Sequence, residues 1–449
     1  MAERSEAVED QAVRDGSAAY VVEAEIATSE DVPPGYKRTE VGVIPEDWDL
    51  IRLGDLGTFS KGQGIKRDQA MSGEIPCIRY GEIYTDHNDV VRKYSSRISR
   101  EVANTSKPLR YGDLLFAGSG ETKEEIGKAV AFVGGAEAYA GGDIVILRPH
   151  EGVPEFLGYL LNASLITRQK ASKGQGDAVV HISASALSSV ALPYPTEQEQ
   201  RAIATALSDA DALIESLDRL IAKKRDIKQA TMQQLLTGET RLPGFTGEWE
   251  TKRLGEIAEL HRRGVTPAAF PDTMFHHFSL PAFDETQTPT IDLGTTIGSS
   301  KFRVPEKAVL VSKLNPRIPR VWKPESIGVN AVASTEFLLF TPRDGVSRDF
   351  LYVLCCSSKF IEQMELLVTG TTGSHQRISP ANALKIEVML PPSANEQTAI
   401  ATVLSDMDAE IEALERRRDK TRQIKQGMMQ ELLTGRTRLV EAQATEAEQ

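Results

Sequence analysis

Residues 199–242 read EQRAIATALSDADALIESLDRLIAKKRDIKQATMQQLLTGETRL, and residues 396–439 read EQTAIATVLSDMDAEIEALERRRDKTRQIKQGMMQELLTGRTRL. About two residues in three are identical, so the chain carries an internal repeat. Each copy opens after proline with a capping box, Thr196 with Glu199 and Ser393 with Glu396. Each closes in Leu-Leu-Thr-Gly, where Gly238 and Gly435 suit the left-handed position that ends a helix. About forty residues between caps make a helix about 60 Å long. A helix of that length needs a partner for its apolar stripe.

The stripe is regular. Ile203, Leu207, Ala210, Ile214, Leu217 and Ile221 alternate spacings of four and three, the seam of a coiled coil. The second copy supplies Ile400, Leu404, Met407, Ile411 and Leu414, then Arg418 where the first has Ile221. Past this point the phase slips, as at a stutter, and resumes at Ile227 and Ile424. The obvious partner of each helix is the other copy. Two copies joined through equivalent seams about a pseudo-twofold axis run antiparallel, so the second helix returns the chain towards its start. The alternative is a seam packed against the neighbouring domain.

Repetition extends past the helices. The run from Trp48 through Arg52-Leu53-Gly54-Asp55-Leu56 recurs from Trp249 through Arg253-Leu254-Gly255-Glu256-Ile257. Phe156-Leu157-Gly158-Tyr159-Leu160 recurs as Phe350-Leu351-Tyr352-Val353-Leu354, and His181-Ile182-Ser183 as Arg377-Ile378-Ser379. Both blocks hold short β-like runs, Leu114–Phe116 and Ile144–Leu147 in the first, Val309–Val311 and Phe337–Phe340 in the second. The expected fold class is therefore α+β: two similar mixed α/β globular domains joined by two long antiparallel coiled-coil helices. The expected boundaries are an acidic tail over 1–35, a first domain over 36–195 and a helical segment over 196–242. A second domain over 243–392, a second helical segment over 393–439 and an acidic tail over 440–449 complete the chain. The first tail lacks apolar periodicity and ends in Pro33-Pro34-Gly35, which reads as disorder.

The formal charge of −12 is unevenly placed. Residues 1–32 carry about −7 and the last nine about −3, which leaves the body near −2. The acidity of the tails does not argue against a nucleic-acid-binding body. Cys77, Cys355 and Cys356 lack metal-ligand spacing and read as reduced thiols. No run approaches the roughly 18 apolar residues of a membrane span, and the start is not that of a signal peptide, so a cytoplasmic protein is expected.

Between the shared landmarks the two blocks diverge. The first contains Lys61-Gly62-Gln63-Gly64-Ile65-Lys66-Arg67, Arg79, and Gly118-Ser119-Gly120-Glu121-Thr122-Lys123, with His181 further on. The second contains Arg262-Arg263-Gly264, Lys313-Leu314-Asn315-Pro316-Arg317, and Thr371-Thr372-Gly373-Ser374-His375-Gln376-Arg377. Glycine-flanked Arg, Lys, Gln, Asn, Ser and Thr suit phosphate contacts and hydrogen bonds to base edges. Any one of them could equally be a solvated surface side chain; the set carries weight because it lies beside equivalent landmarks in both blocks.

No catalytic pattern emerges. Gly120–Ala129 has the wrong glycine spacing for a phosphate loop, and alanine stands where the magnesium-binding hydroxyl belongs. Gly118-Ser119-Gly120 lacks the first glycine of a nucleophile elbow. His276-His277 has no ligand-spaced neighbours, so no metal site is expected. There is no Asn/Asp-Pro-Pro-Tyr tetrapeptide for amino-group methylation, nor a glycine-rich S-adenosylmethionine loop.

The Tyr36-Lys37-Arg38-Thr39-Glu40-Val41-Gly42 start, Ile44-Pro45 with Trp48, the Glu-Gln-x-Ala-Ile-Ala helix starts and the Leu-Leu-Thr-Gly-x-Thr-Arg-Leu endings resemble the specificity subunit of Type I restriction-modification systems. The resemblance spans about Tyr36 to Leu439. It implies two target-recognition domains, each reading one half of a bipartite double-stranded DNA sequence, with the paired helices setting the gap. It implies two methyltransferase subunits and further restriction subunits as partners. S-adenosylmethionine, ATP and Mg would sit on those partners, along with adenine methylation and ATP-dependent cleavage, and this chain would be non-catalytic. The rival reading is a two-headed protein-interaction scaffold with no nucleic-acid role.

Overall fold

The computed structural model describes residues 32–176, 179–369 and 376–440. Apart from residues 32–35 and Val440, the expected acidic tails lie outside this range. The chain divides into two compact units. One takes the described residues up to Ile214 together with those from Lys420 onward, and the other is Glu215–Asp419.

In the first unit a five-stranded sheet runs in the order Gly57–Lys61, Ile144–Pro149, Leu114–Ala117, Ala129–Phe132, Val90–Val91. A four-stranded sheet follows the order Ser96–Ile98, Ile75–Ile78, Tyr139–Ala140, Lys107–Pro108. Leu114–Ala117, Ala129–Phe132 and the first four residues of Ile144–Pro149 are apolar and buried throughout, because both faces are covered. Side chains alternate along a strand, so Leu114, Phe116, Val145 and Leu147 join one core with helix Pro154–Leu161, while Leu115, Ala117, Ile144 and Ile146 join another with Ile78, Ile83 and Ala140.

The second unit repeats the plan. Ala258–His261, Phe337–Pro342, Val309–Ser312 and Val321–Trp322 form one sheet; Gly264–Val265, Lys301–Arg303, Val332–Ser334, Met274–Phe278 and Thr290–Leu293 form the other. Val309, Val311, Leu338 and Phe340 share a core with helix Arg348–Cys355, and Leu310, Phe337 and Leu339 pack on the opposite side with Trp322. In each unit a short antiparallel ladder joins a strand from near the domain's start to its last strand, Asp49–Arg52 with Ala191–Tyr194 and Glu250–Arg253 with Glu387–Leu390.

The two long helices are Glu197–Thr237 and Ala394–Leu432. In the first unit Ile203, Ala204 and Leu207 lie in one core with Leu432 and Leu433, alongside Trp48 and Phe156. In the second, Ile400, Ala401 and Leu404 share a core with Met232, Leu235 and Leu236. Each domain thus holds the start of one helix beside the end of the other, so the segments run antiparallel. The seam packs on both the other copy and the adjoining domain. Leu217, Ile221 and Ile411 are buried along it, and Ala210, Ile214, Met407 and Leu414 half-buried.

Two readings need correction. Ile227 and Ile424 do not resume the seam; they are 41% and 52% exposed. Lys228 and Lys425 occupy the inward face instead. Lys228 pairs with Asp408, and Lys425 Nζ lies 2.7 Å from Asp211 and 2.9 Å from Asp89. A polar pair at a matched position resets the register where apolar packing lapses.

The capping boxes are also only half formed. Thr196 Oγ1 accepts from Glu199 N at 3.4 Å, and Ser393 Oγ accepts from Asn395 N at 3.2 Å. The glutamates, however, turn to arginines from the far end of the opposite helical segment. Arg438 Nε and Nη2 reach Glu199 at 2.5 and 2.8 Å, and Arg241 reaches Glu396 with the same two distances. Bidentate charge-assisted bonds outcompete a single backbone N–H. Gly238 and Gly435 take the left-handed conformation as expected, at φ 74° and 69°.

Candidate nucleic-acid interface

Gly118 N donates to Asp143 O at 2.8 Å, just before strand Ile144–Pro149 begins. Asp143 also lies 3.7 Å from Lys61 Nζ, and Gly62 N donates to Ile144 O. These contacts carry the Lys61–Gln63 loop and the Gly118-Ser119 turn to one edge of the first domain. There strand Ser119–Gly120 pairs with Val180–His181, and Ser119 Oγ stands 2.9 Å from His181 Nδ1. The two residues are 62 positions apart in sequence.

The second domain builds the same edge from other side chains. Lys313 N donates to Glu336 O at 2.9 Å, just before strand Phe337–Pro342. Leu314 bridges to Arg377, Asn315 N donates to Gln376 O, and Ile378 N donates to Lys313 O. Arg377 Nε is 3.0 Å from Glu336. Asn315 adopts φ 48°, in the left-handed region. Lys313, Asn315, Gln376 and Arg377 are thereby gathered into one cluster.

The remaining candidates fall in three groups. Gln63, Lys66, Arg67, Lys123, Arg262, Arg263 and Arg317 are exposed. Arg79 faces inward, its Nε 2.8 Å from the buried Glu82 and 3.2 Å from Ser96 Oγ, and Thr122 Oγ1 accepts from Glu125 N, so these two support the fold locally. Thr371, Thr372 and His375 lie outside the described residues. Asp143 and Glu336 were missed by sequence reasoning; each immediately precedes a strongly apolar run, a position that fixes where the strand's first loop contact falls.

A cavity of about 900 Å³ opens behind Ser119, lined by Tyr80, Tyr84, Glu121, Glu125, Lys128 and Lys170 among others. Tyr84 Oη donates to Ser119 O at 3.0 Å and so braces the edge from behind. Burial pushes the Tyr84 phenol up to about 12 and the Lys170 amine down to about 7. The wall mixes Asp89, Glu121, Glu124 and Glu125 with Lys128, Lys170 and Lys425. Among the described residues no cluster of His, Cys, Asp and Glu is arranged to hold a metal ion, and no helix is long and apolar enough to cross a membrane.

Two copies of one mixed α/β domain, presenting unlike polar edges, define a class of two-headed recognition proteins. The family model for the Type I restriction modification DNA specificity domain matches residues 45–223 and again 246–423. With well over half of the chain covered, the protein belongs to that family. The MjaVIII specificity subunit of Methanocaldococcus jannaschii is 21% identical over 429 residues, covering 88% of this chain and 94% of the relative. The EcoKI specificity subunit of Escherichia coli is 24% identical over 196 residues, 42% of this chain and 40% of its own. The crystal structure of a Type-I restriction-modification system S subunit from M. genitalium shares the fold, with 15% identity, a TM-score of 0.54, and 86% and 96% of the two chains covered. A chain from a structure of complex assembly in the type I R-M system aligns with a TM-score of 0.51 at 18% identity, over 88% and 99% of the chains.

Proposed function

We propose that this chain is the DNA specificity subunit of a Type I restriction-modification complex and contributes recognition without catalysis. The reading rests on one observation: both domains assemble the same loop-to-loop edge, but furnish it with different side chains. Ser119 and His181 stand where the second domain has Leu314 and Arg377. Unlike edges on a repeated fold suit two unlike half-sites, a bipartite target without a palindrome. Exposed Lys and Arg neutralise phosphates and fix register, while Ser119, His181, Asn315 and Gln376 offer donors and acceptors to base edges.

The partners in this reading are two methyltransferase subunits and, for cleavage, restriction subunits. They would bring S-adenosylmethionine, ATP and Mg, and carry out adenine methylation and ATP-dependent cutting. The long helices would set the gap between half-sites. The decisive experiment is to exchange residues 36–192 for those of a relative and sequence the methylated adenines. One half of the target should change and the other persist; an unchanged target would sink the assignment.

A further inference from the structure

The tetrapeptide Lys-Gly-Gln-Gly occurs twice in the first domain, at residues 61–64 and again at 173–176. The first copy leads into the edge shared with Ser119 and His181. The second reaches the same edge by another route, ending helix Ser164–Lys173 and then pairing with strand Val180–His181. Gln175 N donates to His181 O at 2.9 Å, and His181 N to Gln175 O at 2.8 Å. On its other side His181 pairs with Ser119. Gln175, His181 and Ser119 therefore stand directly opposite one another on three adjacent extended segments. Residues so placed share a face, and here it is the outward one. Val180 and Ile182, on either side of His181, are buried in the core, while His181 and Gln175 are exposed. The flanking glycines hold Gln175 close. A Cβ on Gly174 would fall 2.8 Å from Val180 Cγ1, and one on Gly176 would fall 2.2 Å from Val179 O.

The second domain keeps this row and changes its contents. Arg377 pairs with Leu314 on one side and with Thr369 on the other. Position 175 thus corresponds to 369, and the glutamine is particular to the first domain. Ser119 Oγ and His181 Nδ1 are engaged with each other at 2.9 Å, whereas nothing among the described residues holds the Gln175 amide. An amide offers an acceptor and two donors in one plane. That set matches adenine in the major groove, where N6–H donates and N7 accepts, as a bidentate pair. Neighbouring strands lie about 4.8 Å apart, so the row from Gln175 to Ser119 spans about 10 Å. Laid along a duplex, it covers about three base-pair steps of about 3.4 Å.

We infer that Gln175 is a specificity-determining residue of the first domain, reading an adenine in the major groove beside the positions met by Ser119 and His181. This rests on the DNA-reading function proposed above. The paired backbone fixes where the amide stands, and the amide fixes which base satisfies it.

The test uses the chain assembled with its methyltransferase partner. Binding is measured on duplexes carrying the target found by sequencing methylated adenines, with each base pair of the first half-site changed in turn. Q175A should erase the preference for adenine at one position and weaken target binding by about tenfold. Every other position, and the whole second half-site, should be read as before. Q175E should move the preference at that same position to cytosine, because a carboxylate only accepts and so pairs with cytosine N4–H. Assembly with the partner shows that both variants fold. Preferences unchanged in both variants would overturn the role of Gln175. So would a loss of affinity equal at every sequence, which would put the side chain against a phosphate or the partner protein instead. A wild-type complex with no preference at any position would overturn the DNA-reading function itself, and the role of Gln175 with it.

Discussion

Lys170 and Met364 occupy matching places on the helices Ser164–Lys173 and Ser358–Leu366, and both are buried. Lys170 Nζ donates to Gly127 O at 2.6 Å, and burial lowers its pKa to about 7. The unfolded chain keeps that proton to about 10.5. Between these values the unfolded state binds more protons, so stability rises with pH, by up to about 1.4 kcal/mol per unit. Lys128, also lowered by burial, acts in the same direction. K170M, which copies the second domain, should flatten the rise between pH 7 and 10 in chemical denaturation. A second residue-scale contrast concerns the repeated tryptophans. Trp48 Nε1 donates to Glu199 at 3.0 Å, whereas Trp249 Nε1 is buried with no hydrogen-bond partner among the described residues. W48F should therefore cost about 1–2 kcal/mol more than W249F, as urea unfolding of the two variants would show. Both tryptophans were legible in the sequence as repeat landmarks. That only one is bonded was not, because the bond depends on where Glu199 points after Arg438 has bound it.

At the scale of elements, the matched pairs Lys425–Asp211 and Lys228–Asp408 do the same job in different surroundings. Lys425 and its two aspartates are 11%, 17% and 9% exposed, and the ammonium lies 5.0 Å from the centre of the Tyr159 ring. Removing one partner of a buried ion pair strands the others, so K425A should cost about 3 kcal/mol or more. Lys228 and Asp408 are more exposed, so K228A should cost under about 1 kcal/mol. Thermal unfolding of the two variants checks the ordering. The helices themselves were plain in the sequence, since heptad spacing, caps and terminal glycines are all local signals. The mistaken seam at Ile227 and Ile424 has a physical cause. Periodicity records which residues are apolar, but a lysine with a carboxylate opposite can take the inward face, and the carboxylate lies about two hundred residues away.

For the whole molecule, the repeat makes a quantitative prediction about the proposed function. If the long helices set the gap between half-sites, adding one heptad to each lengthens them by about 10 Å. At about 3.4 Å per base pair, the unmethylated gap should grow by about three base pairs while both half-sites stay the same. Sequencing methylated adenines reads this directly, and an unchanged gap would show that the spacing is set elsewhere. Exchanging the edge residues instead should leave the gap alone. K313A should weaken binding across sequences and reduce its salt dependence by about one phosphate contact.

The amino-acid sequence by itself determined the duplication, the long amphipathic helices, the apolar core strands and the family, because each is written in local pattern or in repeated words. Tertiary structure alone decided which loops meet. Ser119 finds His181, and Lys313 and Asn315 find Gln376 and Arg377, through ladders and turns that join distant segments. It also decided which polar side chains face outward and which, like Arg79, Glu199 and Glu396, are held within. A side chain's type sets what bonds it can form, but only the folded backbone sets which partner arrives first and whether water is left to compete.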